Sequence, residues 1–165
     1  MIKLYGFALL ITAGIFFGYI MRDKGKKRIK ILSGFLKSLD YIITGISVSN
    51  MTVPGLLSEL SARGEETDLF FSVVNRESES GKGMGSGFER AVSECDIKKE
   101  DVFLFEGLKE CLYTGEKSLQ LEALKNLREE ASKSLDIARE EEKRRMKYES
   151  AMAVSAFAVL GSVLL

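Results

Sequence analysis

The sequence predicts an all-α protein, a six-helix bundle domain flanked by N- and C-terminal transmembrane helices. Apolar residues recur at helical steps of three and four through the middle of the chain. Strand-like alternation is missing, and Pro54 is the one proline in 165 residues. Uncharged apolar runs occupy the two ends. The expected division is a transmembrane helix over 1–21, a cytoplasmic helical domain over 22–150, and a short transmembrane segment over 151–165 that continues the last long helix.

The first run, Leu4 to Met21, holds 18 uncharged residues. As a helix it is about 27 Å long, close to the thickness of a hydrocarbon core. A cleaved signal peptide carries its positive charge before the apolar run and a small-x-small site after it. Here the order is reversed: Arg22, Lys24, Lys26, Lys27, Arg28 and Lys30 follow the run, against the single acid Asp23. The positive-inside rule places that flank in the cytoplasm. The second run, Ala151 to Leu165, has 15 residues, about 22 Å of helix and short for a full span. Lys147 and Tyr148 precede it and extend its reach by placing polar tips at the interface. With Lys143, Arg144 and Arg145 they make a second basic flank, so both inner ends, and the middle of the chain, are expected on the cytoplasmic side. A buried helix of the soluble domain is the rival reading for 151–165. Gly14 with Gly18, and Ala151 with Ser155, put small residues four apart, a spacing that lets helices approach closely in lipid.

Between the runs, Ile29, Leu32, Phe35, Leu36, Leu39, Ile42, Ile43 and Ile46 trace one face of a first helix. Thr52 and Pro54 offer a cap and first turn for a second, carrying Leu56, Leu57 and Leu60 and ending at Gly64. A third runs from Asp68 through Leu69, Phe70, Val73 and Val74 to the sequence Ser78–Gly81. The alternating glycines 81, 83, 85 and 87 predict a flexible connector. Phe88, Ala91, Val92 and Cys95 mark a fourth helix, and Asp96 is expected to cap a fifth holding Val102, Phe105, Leu108, Cys111 and Leu112. After Gly115 and Ser118, a stripe of Leu121, Leu124, Leu127, Ala131, Leu135 and Ala138 continues through a charged run into the terminal segment.

The composition narrows the chemistry. Lysine plus arginine equals aspartate plus glutamate, 24 each, so no global field draws the chain to nucleic acid. Histidine is absent, which removes the commonest general base and the commonest zinc ligand. Cys95 and Cys111 read as buried thiols in a reducing compartment, in preference to a disulfide. The glycine run contains Lys82 but lacks the spacing and the following Lys-Ser or Lys-Thr of a phosphate loop. Glu140, Glu141 and Glu142 alternate with bases on a solvated helix, without the apolar pocket that raises an acid. The expectation is a non-enzyme with no cofactor, metal, nucleic-acid or small-molecule substrate.

Order and length also resemble a known family. The helix with Leu32, Phe35, Leu36, Leu39 and Ile42, the Thr52-Val53-Pro54 turn leading to Leu57 and Leu60, and the Gly115 break with Gln120 and Leu124 before a long charged helix resemble stage III sporulation protein AB. The resemblance implies similarity to the cytoplasmic domain of type II secretion and type IV pilus platform proteins. It implies a place in the mother-cell (outer forespore) membrane of a sporulating, endospore-forming bacterium. There the protein would act as a scaffold touching a cognate cytoplasmic ATPase and other stage III channel proteins, with homo-oligomers open. A membrane-attached helical signalling relay is the alternative. Exposed charge at Arg63, Glu65 and Glu66, or at Arg139, Glu142 and Arg145, is the expected partner surface, since the apolar stripes are needed for the core. Arg22, Lys24, Lys26, Lys27, Arg28, Lys147 and Tyr148 are the expected membrane flanks.

Overall fold

A computed structural model describes the backbone of residues 2–64 and 67–164 and the side chains of 25–64 and 67–148. It is all-helical among those residues: α1 Ile2–Ser47, α2 Val53–Leu60, α3 Asp68–Glu79, α4 Met84–Glu94, α5 Val102–Tyr113 and α6 Lys117–Leu164, with a 3₁₀ turn at Lys99–Asp101 before α5. The chain divides into two compact units. One is Arg28–Asp136; the other joins Met1–Lys27 to Ile137–Leu165. No helix among the described residues is long and apolar enough to cross a membrane. The apolar runs 4–21 and 151–165, with Gly14, Gly18, Ala151 and Ser155, lie outside the residues whose side chains are described.

The apolar stripes become the core of the 28–136 unit. Leu32, Phe35, Leu39, Ile42 and Ile46 of α1 are buried, as are Leu56, Leu57 and Leu60 of α2. Ile29, Leu36 and Ile43, also expected on the buried stripe, are half-buried at its margin. Four phenylalanines fill the centre. Phe105 of α5 lies 4.4 Å from Phe35 of α1 and 4.8 Å from Phe70 of α3, centroid to centroid. Phe70 in turn meets Phe88 of α4 edge-on at 5.4 Å. Such pairs contribute roughly 0.5–1.5 kcal/mol each beyond the area they bury.

The helix ends follow local chemistry. Thr52 is extended before α2, with proline in the first turn, where a missing N–H costs nothing. Asp96 departs from expectation: it adopts φ +52° just beyond α4. A short polar side chain tolerates that left-handed conformation, so Asp96 closes the fourth helix instead of opening the fifth. Asp101 takes the N-cap position of α5.

The glycine run is also corrected. Only Gly81 and Gly83, at φ +80° and +86°, make the turn, while Gly85 and Gly87 lie inside α4. Gly87 is buried where α4 crosses α3: a Cβ there would sit 2.9 Å from the Val74 carbonyl oxygen and 3.0 Å from its Cα. A Cβ on Gly85 would meet nothing closer than the Tyr113 hydroxyl at 3.7 Å. The two glycines should therefore respond oppositely to alanine. Gly87→Ala is expected to destabilise by about 1–3 kcal/mol through a backbone clash. Gly85→Ala should be neutral or stabilising by up to about 1 kcal/mol through helix propensity. Thermal melts of the full chain in detergent check both; equal melting temperatures would mean that α3 and α4 do not approach at Gly87.

Candidate functional site

With no catalytic constellation expected, the question is which charged side chains are free to meet a partner and which hold the fold. Arg28 belongs to the second group. It was expected on the membrane flank, yet it is 8% exposed and its guanidinium grips Asp101, itself 3% exposed. Nε donates to Asp101 Oδ2 and Nη2 to Oδ1, both at 2.8 Å, and Nη1 lies 3.2 Å from Glu100 Oε2. The reason is positional: Arg28 is one turn before Leu32 on the same helix face. The planar fork matches a carboxylate in two bonds. Lys26, Lys27, Lys147 and Tyr148 are exposed, and the side chains of Arg22 and Lys24 lie outside the described residues.

Glu142 is a second correction. Expected on a partner surface, it is 8% exposed, one turn beyond buried Ala138 on the α6 stripe. Its Oε2 is 3.0 Å from Arg145 Nη2, and a Cβ on Gly25 would overlap its carboxylate. Glycine at position 25 makes room for this acid. Arg145 is half-buried by the pairing, while Arg139 is exposed.

Arg63 is exposed but engaged. Its guanidinium lies 4.2 Å from the Tyr41 ring centroid, a cation–π contact between α1 and the segment after α2. The Tyr41 hydroxyl donates to Glu59, and that bond is the main reason its pKa is raised. Nearby Asp40 pairs with Arg128 of α6. Glu65 and Glu66 lie outside the described residues. The structure thus places Arg63 in the 28–136 unit and Arg139, Glu142 and Arg145 in the other.

Sequence reasoning missed Glu77, the buried acid of the α3–α4 corner, 5% exposed. Lys82 Nζ is 3.1 Å from Oε2, and Arg90 Nη1 donates to Oε1 at 2.7 Å. Arg90 also holds Glu94 at 2.7 Å. Lys82 is therefore a structural cation, not a loose charge at a loop tip. The bond to Lys82, with the fields of Lys82, Arg90 and Arg76, holds the Glu77 carboxyl below the usual carboxylate range although burial opposes this. A signal was present: Glu77 continues the Phe70, Val73 and Val74 stripe by one turn. Cys111 is buried and Cys95 half-buried, and the two form no disulfide; burial pushes the Cys111 pKa up.

The family model of stage III sporulation protein AB matches residues 3–165. The chain belongs to that family. No curated protein and no solved structure matches it. In this stage III sporulation AB-family chain, the charges at Arg28, Asp101, Glu77 and Glu142 are held inside the fold.

Two measurements check this assignment. Asp101→Ala should cost about 3 kcal/mol by stranding a buried guanidinium, and the double change Arg28→Met with Asp101→Leu should recover most of it; equal loss in both would mean that the pair is not buried. Glu77 has a folded pKa below its unfolded one, so the folded state binds fewer protons in acid. Its stabilisation is complete above the unfolded pKa, about 4.3, and is lost as pH falls through the folded value. Glu77→Gln should accordingly flatten the decline in melting temperature below about pH 4.3; an unchanged acid slope would remove Glu77 as its source.

Proposed function

We propose that the chain is a non-enzymatic membrane platform in a secretion-like sporulation channel, coupling a cytoplasmic ATPase to the transmembrane complex. The observation that carries the reading is a compact unit, Arg28–Asp136, that lies in sequence between the halves of α1 and α6 carrying the apolar runs 4–21 and 151–165. Family membership supports the sporulation setting. In this reading both runs cross the mother-cell (outer forespore) membrane, and the exposed bases Lys26, Lys27 and Lys147 stay on the cytoplasmic side. A helical unit tied to the membrane at two points resists rotation better than one tied at a single point, which suits a scaffold that receives mechanical work.

Cysteine accessibility in intact cells tests the topology, in a background with Cys95→Ser and Cys111→Ala. The Lys82 side chain is 62% exposed, so protection of Lys82→Cys from an impermeant reagent would report the membrane and not burial. Protection there, with labelling of cysteines added at both chain ends, is the expected result. Labelling of Lys82→Cys would reverse the topology and end the coupling proposal. Full-length protein purified in detergent from sporulating cells should also retain a cytoplasmic ATPase at low salt, and its absence would leave an anchor without a motor.

A further inference from the structure

The turn between α4 and α5 is clamped to α1 by its own acid. Asp96 closes α4 at φ +52°, the Asp101 backbone N–H donates to the Lys98 carbonyl at 2.8 Å, and the Asp101 carboxylate takes two bonds from Arg28. Arg28 is the first residue of the 28–136 unit. The turn therefore lies at the edge where α1 enters that unit, and Lys98 and Lys99 stand on a fixed backbone there.

The fold uses the other charges of this turn. Asp101 is buried against the Arg28 guanidinium, and Glu100 lies 3.2 Å from its Nη1. Lys98 and Lys99 are exposed and, among the described residues, form no ion pair. The remaining acid of the turn, Asp96, is single against two ammonium groups. Arg28 itself follows directly on exposed Lys26 and Lys27. In the platform reading the apolar run ending at Met21 crosses the membrane, and seven residues from there to Arg28 span about 10 Å of helix. The headgroup layer outside the hydrocarbon core is about 5–8 Å deep. The few ångströms left are within reach of a lysine stem, which lets the ammonium extend to a polar boundary.

We propose that Lys98 and Lys99 dock the α4–α5 turn onto anionic phospholipid headgroups of the membrane that the apolar runs enter. This gives the compact unit a contact with the bilayer separate from the two crossing helices. An ammonium binds a phosphate as a point charge, and beside an anionic surface each lysine is favoured about fivefold. The inference rests on the membrane part of the platform reading and is independent of the ATPase.

The test reconstitutes the full-length protein in lipid nanodiscs of phosphatidylcholine alone or with added phosphatidylglycerol, acylates it with a neutral amine reagent and reads each lysine by mass spectrometry. Lys98 and Lys99 should react about fivefold more slowly when phosphatidylglycerol is present, and salt well above physiological should restore the rate. Lys125 of α6, also exposed, should react equally in both. A dye on Ser93→Cys, at an exposed position in the last turn of α4, reads the approach directly in the Cys95→Ser, Cys111→Ala background. Headgroup-labelled phosphatidylglycerol should quench it, Lys98→Gln with Lys99→Gln should reduce the quenching, and the two Lys→Arg changes should keep it. Equal acylation in the two lipids, or quenching indifferent to both lysines, would overturn the proposal. Protection in sporulating cells with none in nanodiscs would assign the lysines to an acidic protein segment and overturn it as well. Protein that alkaline carbonate extracts from cell membranes would remove the membrane reading and this inference together, whereas membrane-retained protein with unprotected lysines would remove this inference alone.

Discussion

The tilted packing of the Phe105 ring against Phe35 and Phe70 is the contact on which the compact unit depends. Phe35 belongs to α1, Phe105 to α5 and Phe70 to α3, and Phe70 passes the contact on to Phe88 of α4. Four helices separated in sequence therefore meet through one chain of rings. Aromatic side chains suit this task because each is large and has few rotamers to lose, and tilted or edge-on contacts fix the orientation of both partners. The other helices attach around that chain through smaller contacts: Leu56 of α2 against Gly45 of α1, and Leu127 of α6 against Gly107 of α5, where a Cβ would approach to 3.1 Å.

Apolar spacing made most of this arrangement legible. The steps linking Leu32, Phe35, Leu39 and Ile42, or Leu124, Leu127 and Ala131, identify both the helix and its buried face. Spacing did not distinguish a glycine that makes a turn from one that lets helices touch. Gly81 and Gly87 look alike in sequence, yet one has a positive φ and the other sits against the Val74 backbone. The difference depends on what crosses the helix, and a single sequence does not encode that locally. Asp96 failed for a related reason: a short acid serves a helix start or a left-handed stop, and the 3₁₀ turn at Lys99–Asp101 moved the true start onward.

The buried charges share a simpler rule that is legible in the sequence. Arg28 is four residues before Leu32, Glu77 four after Val73, Glu142 four after Ala138, and Asp101 three before Leu104. Each extends an apolar stripe by one turn at the end of a bundled stretch, where a helix face is still covered and an aliphatic residue would be expected. Residue type alone puts Arg28 and Glu142 at the surface; their phase on the helix puts them inside. The partners could not be read in the same way. Arg28 and Asp101 are far apart in the chain, and their pairing follows from the Phe35–Phe105 contact that brings α1 beside α5.

That pairing also bears on where the run of exposed bases ends. A buried ion pair adds little net stability over an apolar pair of the same volume, because two charges must be stripped of water. Its strong effect is on alternatives: any shift of α1 by a turn would leave Arg28 buried without Asp101, at a cost of several kcal/mol. The pair thus fixes the register of α1 against α5. The division between the two compact units falls immediately before it, with Lys27 on one side and Arg28 on the other. Lys26 and Lys27 are exposed, and Arg28 is neutralised inside the fold. The row of bases that looks uniform in sequence therefore changes role within one residue, from charge offered outward to charge that locks a helix in place.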